Sequence, residues 1–118
     1  MKCLLGRLSA YSPRLWQIEL ADGFWQRFIG LMGRRNLAPD RGMLLRPCSS
    51  VHMLFMRFSI DVVYLSREGT IVKVVSKLPP WRGASFCNGA AAALELPAGS
   101  VVRQNLHIGQ KIDLWAKE

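Results

Sequence analysis

One apolar stretch, residues 51–65, contains three residues that could do chemistry: His52, Arg57 and Asp61. The run is rich in Val, Ile, Phe and Tyr, which is typical of strands that are buried on both faces. An ionised aspartate at such a position must find hydrogen-bond donors or a cation, or take up a proton. The stretch therefore predicts buried strands and makes Asp61 the residue whose role most needs explaining.

Four polar residues stand within otherwise apolar segments: Arg34, His52, Asp61 and Glu95. A structural explanation is a buried pair of Arg34 with Asp61, or an Asp61 carboxylate that accepts hydrogen bonds from loop backbone N–H groups. A functional explanation is that Arg34, His52 and Asp61 line a cleft and bind a polar ligand, with Glu95 as a structural polar residue. Both explanations stay open at this point.

Catalysis by His52 and Asp61 as an acid–base pair, in a hydrolase-type enzyme, is a further alternative. The sequence contains no nucleophile elbow, phosphate-binding loop or paired-carboxylate motif that would support it. A binding role without catalysis is therefore favoured over an enzyme.

A proline-rich corner, Leu78-Pro79-Pro80, places Trp81 beside Arg82. The prolines stiffen the backbone, so an indole held there can contact a ligand or partner at low entropic cost. Trp81 and Arg82 are therefore predicted to be binding residues.

Two cysteines and two histidines could in principle form a zinc site: Cys48, His52, Cys87 and His107. The chain has no Cys-x-x-Cys motif, so the pattern is weak and packed thiols explain it better. We predict neither a metal nor a cofactor.

Size and composition favour a single domain over residues 1–118, with half of the residues hydrophobic. We identify neither a signal peptide nor a segment with the roughly 20 apolar residues of a membrane span. Three cysteines fit free thiols in a reducing compartment better than a disulfide framework. These features predict a cytoplasmic protein.

The formal net charge is +8, with a pI near 10.1. Such a charge attracts anionic partners, but the basic residues are scattered and form no polybasic tail. A charge-driven nucleic-acid binder is thus an alternative that is not favoured over a protein partner or a polar small-molecule ligand.

Short apolar segments with turn residues between them predict strands over residues 3–11, 15–20, 60–65, 70–76, 84–87, 90–96 and 111–115. We expect hairpins from 60–76 and from 84–96, and a turn at Ser12-Pro13. Asp22 could cap one amphipathic helix near residues 23–32, whose apolar stripe should pack on the core. The fold is therefore predicted to be mainly β (α+β): a small antiparallel β-barrel or sandwich with one packed helix.

Five ordered motifs resemble the prokaryotic family called domain of unknown function 192. They are Gly30-Leu31-Met32-Gly33-Arg34, Gly42-Met43-Leu44, His52 through Leu65, Leu78-Pro79-Pro80-Trp81, and Leu94-Glu95-Leu96-Pro97-Ala98-Gly99. The resemblance covers nearly the whole chain and implies a mainly β fold with one packed helix. It implies no established activity, and many members of the family carry an export signal.

The chain departs from the family pattern at three places. Members often have Trp-Met where this chain has His52-Met53, Pro in place of Ser59, and Gly-Asp in place of Gly109-Gln110. The resemblance and the residues together favour a non-catalytic binding or accessory module.

Overall fold

The computed structural model describes residues 2–9, 14–81 and 83–116. Within these ranges the chain is mainly β, with nine strands and two short helices. In chain order they are β1 Lys2–Arg7, β2 Trp16–Ala21, α1 Phe24–Ile29, β3 Arg41–Leu45, β4 Ser50–His52, β5 Ile60–Leu65, β6 Ile71–Leu78, β7 Ala84–Phe86, β8 Ala92–Pro97, α2 Ser100–Arg103 and β9 Asp113–Ala116. The expected turn at Ser12-Pro13 lies outside the described residues.

Seven strands form one sheet in the order β6-β5-β8-β3-β2-β1-β9, and β4 pairs with β7 in a separate small sheet. The prediction of an antiparallel sheet is wrong at one pair, because β2 and β3 run parallel. The chain leaves β2, passes through α1 and a loop, and re-enters the sheet in the same direction. Parallel neighbours need such a crossover connection, so the sheet is mixed.

Each face of the large sheet covers a hydrophobic core. The α2-side core contains the buried residues Leu8, Trp16, Ile18, Leu20, Leu44, Val63, Leu65, Ile71, Ala92, Leu94, Leu96, Val101, Leu106 and Ile112. The β4-side core contains Ala21, Leu31, Met43, Leu45, Val51, Met53, Met56, Ile60, Val62, Tyr64, Leu78 and Ala93. Strand β5 contributes to both cores and is buried along its whole length, which confirms the expectation for residues 60–65.

The large sheet curls without closing. In the described chain β6 and β9 are its edge strands, and an isolated bridge joins Thr70 to Lys111. The small β4–β7 sheet lies over the β4-side core. Of the two predicted architectures, the structure therefore has the sandwich-like one and no closed barrel among the described strands.

Strands β5 and β6 form the first predicted hairpin. The second predicted hairpin, over residues 84–96, is wrong because β7 pairs with β4 instead of β8. Strand β8 is an apolar segment that is buried between β5 and β3. With both of its edges occupied, β8 offers no pairing position to β7.

Helix α1 is shorter than predicted, and Gly23 takes the N-cap position that was expected for Asp22. The side-chain oxygen of Gln26 accepts a hydrogen bond from the Gly23 N–H at 3.2 Å. The helix ends at Gly30, whose φ of 49° is in the region that favours glycine. None of its six residues is buried, so the expectation that its apolar stripe packs on the core is wrong. Side chains from the loops and from β4 already fill the β4-side core.

Candidate functional site

Asp61 is fully buried, and its carboxylate joins three elements through backbone hydrogen bonds. One oxygen accepts from the N–H of Lys77 in β6 at 2.8 Å, and the other accepts from the N–H of Val101 in α2 at 2.8 Å. Asp61 therefore accepts from backbone N–H groups, as one structural explanation predicted, but the donors lie in a strand and a helix and not in loops. The two bonds hold α2 and the end of β6 against β5.

Arg34 pairs with Glu19 of β2 and not with Asp61. Two guanidinium nitrogens donate to the two carboxylate oxygens of Glu19 at 3.1 and 2.9 Å, and about a third of each side chain is exposed. The hydrogen bond from Arg34 lowers the pKa of Glu19. This pair is a bidentate contact at the edge of the β4-side core.

The large sheet separates Asp61 from His52. Asp61 contacts Val101, a residue of the α2-side core, whereas His52 belongs to β4 on the other side. The predicted acid–base pair of His52 and Asp61 is therefore not formed, and the predicted cluster of Arg34, His52 and Asp61 is not assembled.

A cleft of about 420 Å³ runs between α1 and β4, and we call it the α1 cleft. Its walls include Phe24, Arg27, Phe28, Cys48 and His52. A smaller cavity of about 30 Å³ shares Arg27, Phe28, Ser50 and His52 with the cleft and also contacts Gly30 and Glu95. The α1 cleft therefore leads towards a buried acidic residue.

Glu95 projects from β8 into the β4-side core and is 4% exposed. Its Oε1 atom has no hydrogen-bond partner among the described residues. Burial raises the pKa of Glu95 to about 7, although the positive charge of Arg34 acts in the opposite direction. Glu95 is therefore a carboxyl group that exchanges its proton near neutral pH.

The Nδ1 atom of His52 is the second buried polar atom at this cavity that has no hydrogen-bond partner within the described chain. The His52 ring packs against Phe28, with 5.7 Å between the ring centres. Buried polar atoms in folded proteins nearly always have a partner, so two exceptions at one cavity suggest a site for an additional molecule.

The Cys48 thiol lies in the wall of the α1 cleft and donates to the carbonyl oxygen of Ser50 at 2.9 Å. Burial raises the pKa of Cys48, so the thiol stays protonated at neutral pH. Where the structure describes the chain, no group of three or more His, Cys, Asp or Glu residues is placed to hold a metal ion.

A second feature of the same side is an exposed apolar patch, which we call the aromatic surface. Each of its members is between 49% and 69% exposed: Phe24, Trp25, Phe28, Ile29, Leu54, Phe55 and Trp81. The rings of Phe55 and Trp81 pack edge to face at 5.2 Å. Trp81 is thus exposed at the proline corner, while its neighbour Arg82 lies outside the described residues.

The sequence predicts only a structural role for Glu95 and does not identify Arg27 or Phe28 as site residues. The signal for Glu95 was present, because it is a single charge inside the apolar segment of residues 92–96. For α1 the signal was misleading, since an apolar helical stripe looks the same whether it packs on a core or remains exposed.

A family model and curated relatives identify the family. The model of domain of unknown function 192, described as Uncharacterized ACR, matches residues 8–114. The chain belongs to this family. A UPF0127 protein of Thermococcus sibiricus is 34% identical over 111 residues, which cover 89% of this chain and 71% of the relative. A UPF0127 protein of Pyrococcus furiosus is 32% identical over 104 residues, which cover 82% and 85%.

Two solved structures share the fold of this family member. One, from Sinorhizobium meliloti, is described as a candidate transcription regulator and superposes with a TM-score of 0.85 at 28% identity, covering 96% of this chain and 93% of that one. The other, a protein of unknown function from Novosphingobium aromaticivorans, superposes with a TM-score of 0.82 at 19% identity and covers 94% of this chain and 83% of that one.

Neither helix described in this chain is long and apolar enough to cross a membrane.

Proposed function

We propose that the protein is a non-catalytic binding module that holds a small polar ligand in the α1 cleft. The observation that carries this proposal is a pair of buried polar atoms, Glu95 Oε1 and His52 Nδ1, which have no partners in the described chain and belong to residues that line one cavity. Leaving such atoms unpaired costs roughly 1 to 3 kcal/mol each. A ligand that supplies hydrogen bonds to both atoms recovers that free energy on binding.

The charges of the cleft indicate the chemistry of the ligand. An ionised Glu95 accepts hydrogen bonds and favours a protonated nitrogen, whereas Arg27 in the cleft wall favours an acidic group. A volume of about 420 Å³ is within the range of small-molecule sites. We therefore infer a zwitterionic ligand, such as a free amino acid or a short peptide, with its amine towards Glu95 and its carboxylate towards Arg27.

Two features support binding over catalysis. The Cys48 thiol has a raised pKa and is a poor nucleophile in this form. Asp61 uses both carboxylate oxygens to hold backbone N–H groups on the far side of the sheet from His52. A hydrolase that depends on His52 and Asp61 is therefore not proposed.

The test is a calorimetric titration of the protein with the common amino acids and a set of dipeptides, at pH 6 and pH 8. Saturable binding should be tighter at pH 8, because a larger fraction of Glu95 is then ionised. Loss of a hydrogen bond to a charged group weakens binding by about tenfold to a hundredfold. We expect Glu95→Gln and Arg27→Gln each to weaken binding by that factor.

Glu68→Gln is the matched control, since Glu68 is exposed on the β5–β6 turn outside the cleft. It should leave the affinity within about twofold of the parent. The proposal fails if none of these compounds gives saturable binding, or if a compound that binds the parent binds Glu95→Gln equally well.

Nucleic-acid binding is the second candidate function. The net charge of +8 favours it, and the Sinorhizobium meliloti neighbour is described as a candidate transcription regulator. This function requires an affinity for oligonucleotides that falls steeply with salt concentration. Weak binding that is insensitive to salt would exclude nucleic-acid binding as the function.

We also propose that the protein is cytoplasmic. Cys3, Cys48 and Cys87 are free thiols in the described structure, and free thiols suit a reducing compartment.

A further inference from the structure

We propose that the aromatic surface docks the protein on an anionic lipid bilayer. The surface consists of residues that α1, the loop after β4 and the proline corner present to solvent. Phe24 and Phe28 also line the α1 cleft, but the other five residues do not. Seven large apolar side chains exposed on one side of a 118-residue chain exceed the scattered exposure that is normal for a soluble protein.

Ring contacts join five members of the aromatic surface in two groups, Phe24–Trp25–Phe28 and Phe55–Trp81. Trp25 packs edge to face against Phe24 at 5.4 Å and against Phe28 at 6.2 Å. The Gly33 N–H donates to the carbonyl oxygen of Phe55 at 3.0 Å, which links the segment after α1 to the loop after β4. The segments that carry the two groups of rings are therefore neighbours in the fold.

Two of the exposed rings belong to residues with a positive φ, a backbone conformation that bulky residues rarely adopt. Phe55 has a φ of 62° and Trp81 a φ of 67°. The Trp81 N–H donates to the carbonyl oxygen of Met53 at 2.7 Å, and this bond holds the corner against the loop. Strain of this kind persists where the surroundings enforce it, and it is concentrated at functional sites.

Charge complementarity identifies the bilayer as anionic. Arg35, Arg57 and Lys77 are exposed and lie within a few residues of the apolar tips in the sequence. Asp22 is the one acidic residue in the three segments that form the surface, residues 22–35, 53–58 and 77–81. Exposed apolar side chains with cations on the same segments are a usual means by which proteins attach to anionic lipid headgroups.

Two features favour a bilayer over other occupants. Ile29 and Leu54 gain from burial in the acyl region but cannot stack on nucleobases, and the rings of Phe55 and Trp81 already pack on each other. A second copy of the chain would bring together two proteins that each carry a charge of +8.

The experiment is co-sedimentation with vesicles of phosphatidylcholine alone and of phosphatidylcholine with roughly a quarter phosphatidylglycerol, at low and physiological salt. We expect the protein to bind the anionic vesicles at least about tenfold more tightly than the neutral ones. Brominated acyl chains in the vesicles should quench its tryptophan fluorescence, because Trp25 and Trp81 enter the interface.

The test variant carries Trp25→Ser and Trp81→Ser, and the matched control is Trp115→Ser, which removes a 40% exposed tryptophan from β9. All three positions are exposed, so both variants should fold, and circular dichroism checks this. The double variant should lose about tenfold or more in vesicle affinity, while the control stays within about twofold.

Three outcomes would overturn the proposal. The first is no sedimentation with anionic vesicles, and the second is equal binding of the double variant and Trp115→Ser. The third is a concentration-dependent dimer, or binding of a single-stranded oligonucleotide, that the double variant abolishes while vesicle binding is absent. Because neither tryptophan lines the α1 cleft, failure here leaves the amino-acid titration unaffected.

Discussion

Two buried carboxylates lie on opposite faces of the large sheet and differ in how they are satisfied. Asp61 faces the α2-side core and accepts two backbone N–H groups. Glu95 faces the β4-side core, and its Oε1 atom has no partner among the described residues. Both are almost completely buried, so burial does not separate a structural carboxylate from a functional one. The number of hydrogen bonds that each carboxylate accepts distinguishes the two roles.

The two carboxylates therefore have opposite effects on stability. Asp61 replaces the hydrogen bonds of water with two short bonds to the backbone, which is the arrangement that stabilises a buried charge. Glu95 loses water without full replacement, which is why its pKa is raised. The fold gains from the two hydrogen bonds of Asp61 and loses from the charge of Glu95.

The largest expected effect is at Asp61. In Asp61→Asn the side-chain amide can accept from one of the two N–H groups but must turn a donor towards the other. Loss of a charge-assisted hydrogen bond and burial of an unpaired donor should together lower the free energy of unfolding by about 4 kcal/mol. Urea titration at neutral pH measures this change.

Asp113→Asn is the control, since Asp113 is exposed on the edge strand β9. It should change the free energy of unfolding by less than about 0.5 kcal/mol. If Asp61→Asn lowered the free energy of unfolding by less than about 1 kcal/mol, the two observed hydrogen bonds would contribute little. Asp61 and Glu95 would then not differ in their effects on stability as proposed.

The next largest effect is at Glu95 and has the opposite sign. Its pKa is about 7 in the folded chain, against 4.5 as the ordinary value. Between these two values the folded state holds more protons than the unfolded state, so stability falls as pH rises and levels off above pH 7. The total loss is about 3 kcal/mol, and it is fully present at pH 8.

Glu95→Gln removes the titrating group and should be more stable than the parent at pH 8, by up to about 3 kcal/mol, with a much smaller gain at pH 5. Urea titrations of both proteins at each pH give the difference. In the control Glu68→Gln the parental pH dependence should remain, because the pKa of Glu68 is lowered and lies below this range. An equal change for Glu95→Gln at both pH values would contradict the raised pKa.

The fold was largely predictable from local patterns. Alternation in residues 15–20 predicted a half-buried strand, observed as β2 Trp16–Ala21, and the apolar segments around Ser66 to Gly69 predicted the β5–β6 hairpin. Strand partners were less accessible, because pairing depends on which edges remain free. Strand β8 has both edges occupied, so β7 pairs with β4, and local patterns do not contain that information.

The sequence identified some members of the candidate site, but not Arg27 or Phe28 and not how the residues group. His52, Asp61 and Glu95 were identified because each is polar within an apolar segment, but their grouping depends on the faces of the sheet. Asp61 and Glu95 occupy adjacent strands that pair closely, with Asp61 opposite Leu96. A shift of one residue reverses the face to which a side chain points, and this register decides that the two carboxylates do not meet.

The smallest expected effect is at Arg34, which pairs with Glu19 and whose charge also acts on Glu95. Its bidentate bond to Glu19 is about one-third exposed, so Arg34→Gln should lower the free energy of unfolding by less than about 1 kcal/mol. The charge of Arg34 also lowers the pKa of Glu95. Its removal should therefore raise that pKa and extend the fall in stability to higher pH.

Urea titrations of Arg34→Gln from pH 5 to pH 9 measure both effects, with Arg35→Gln as a control at an exposed neighbouring position. In a Glu95→Gln background the pH-dependent part of the effect of Arg34→Gln on the free energy of unfolding should disappear. The small loss of stability from the Glu19 contact should remain. If the pH-dependent part persisted without Glu95, the charge of Arg34 would be acting on another group. The unsatisfied carboxylate would then be electrostatically independent of the ion pair beside it.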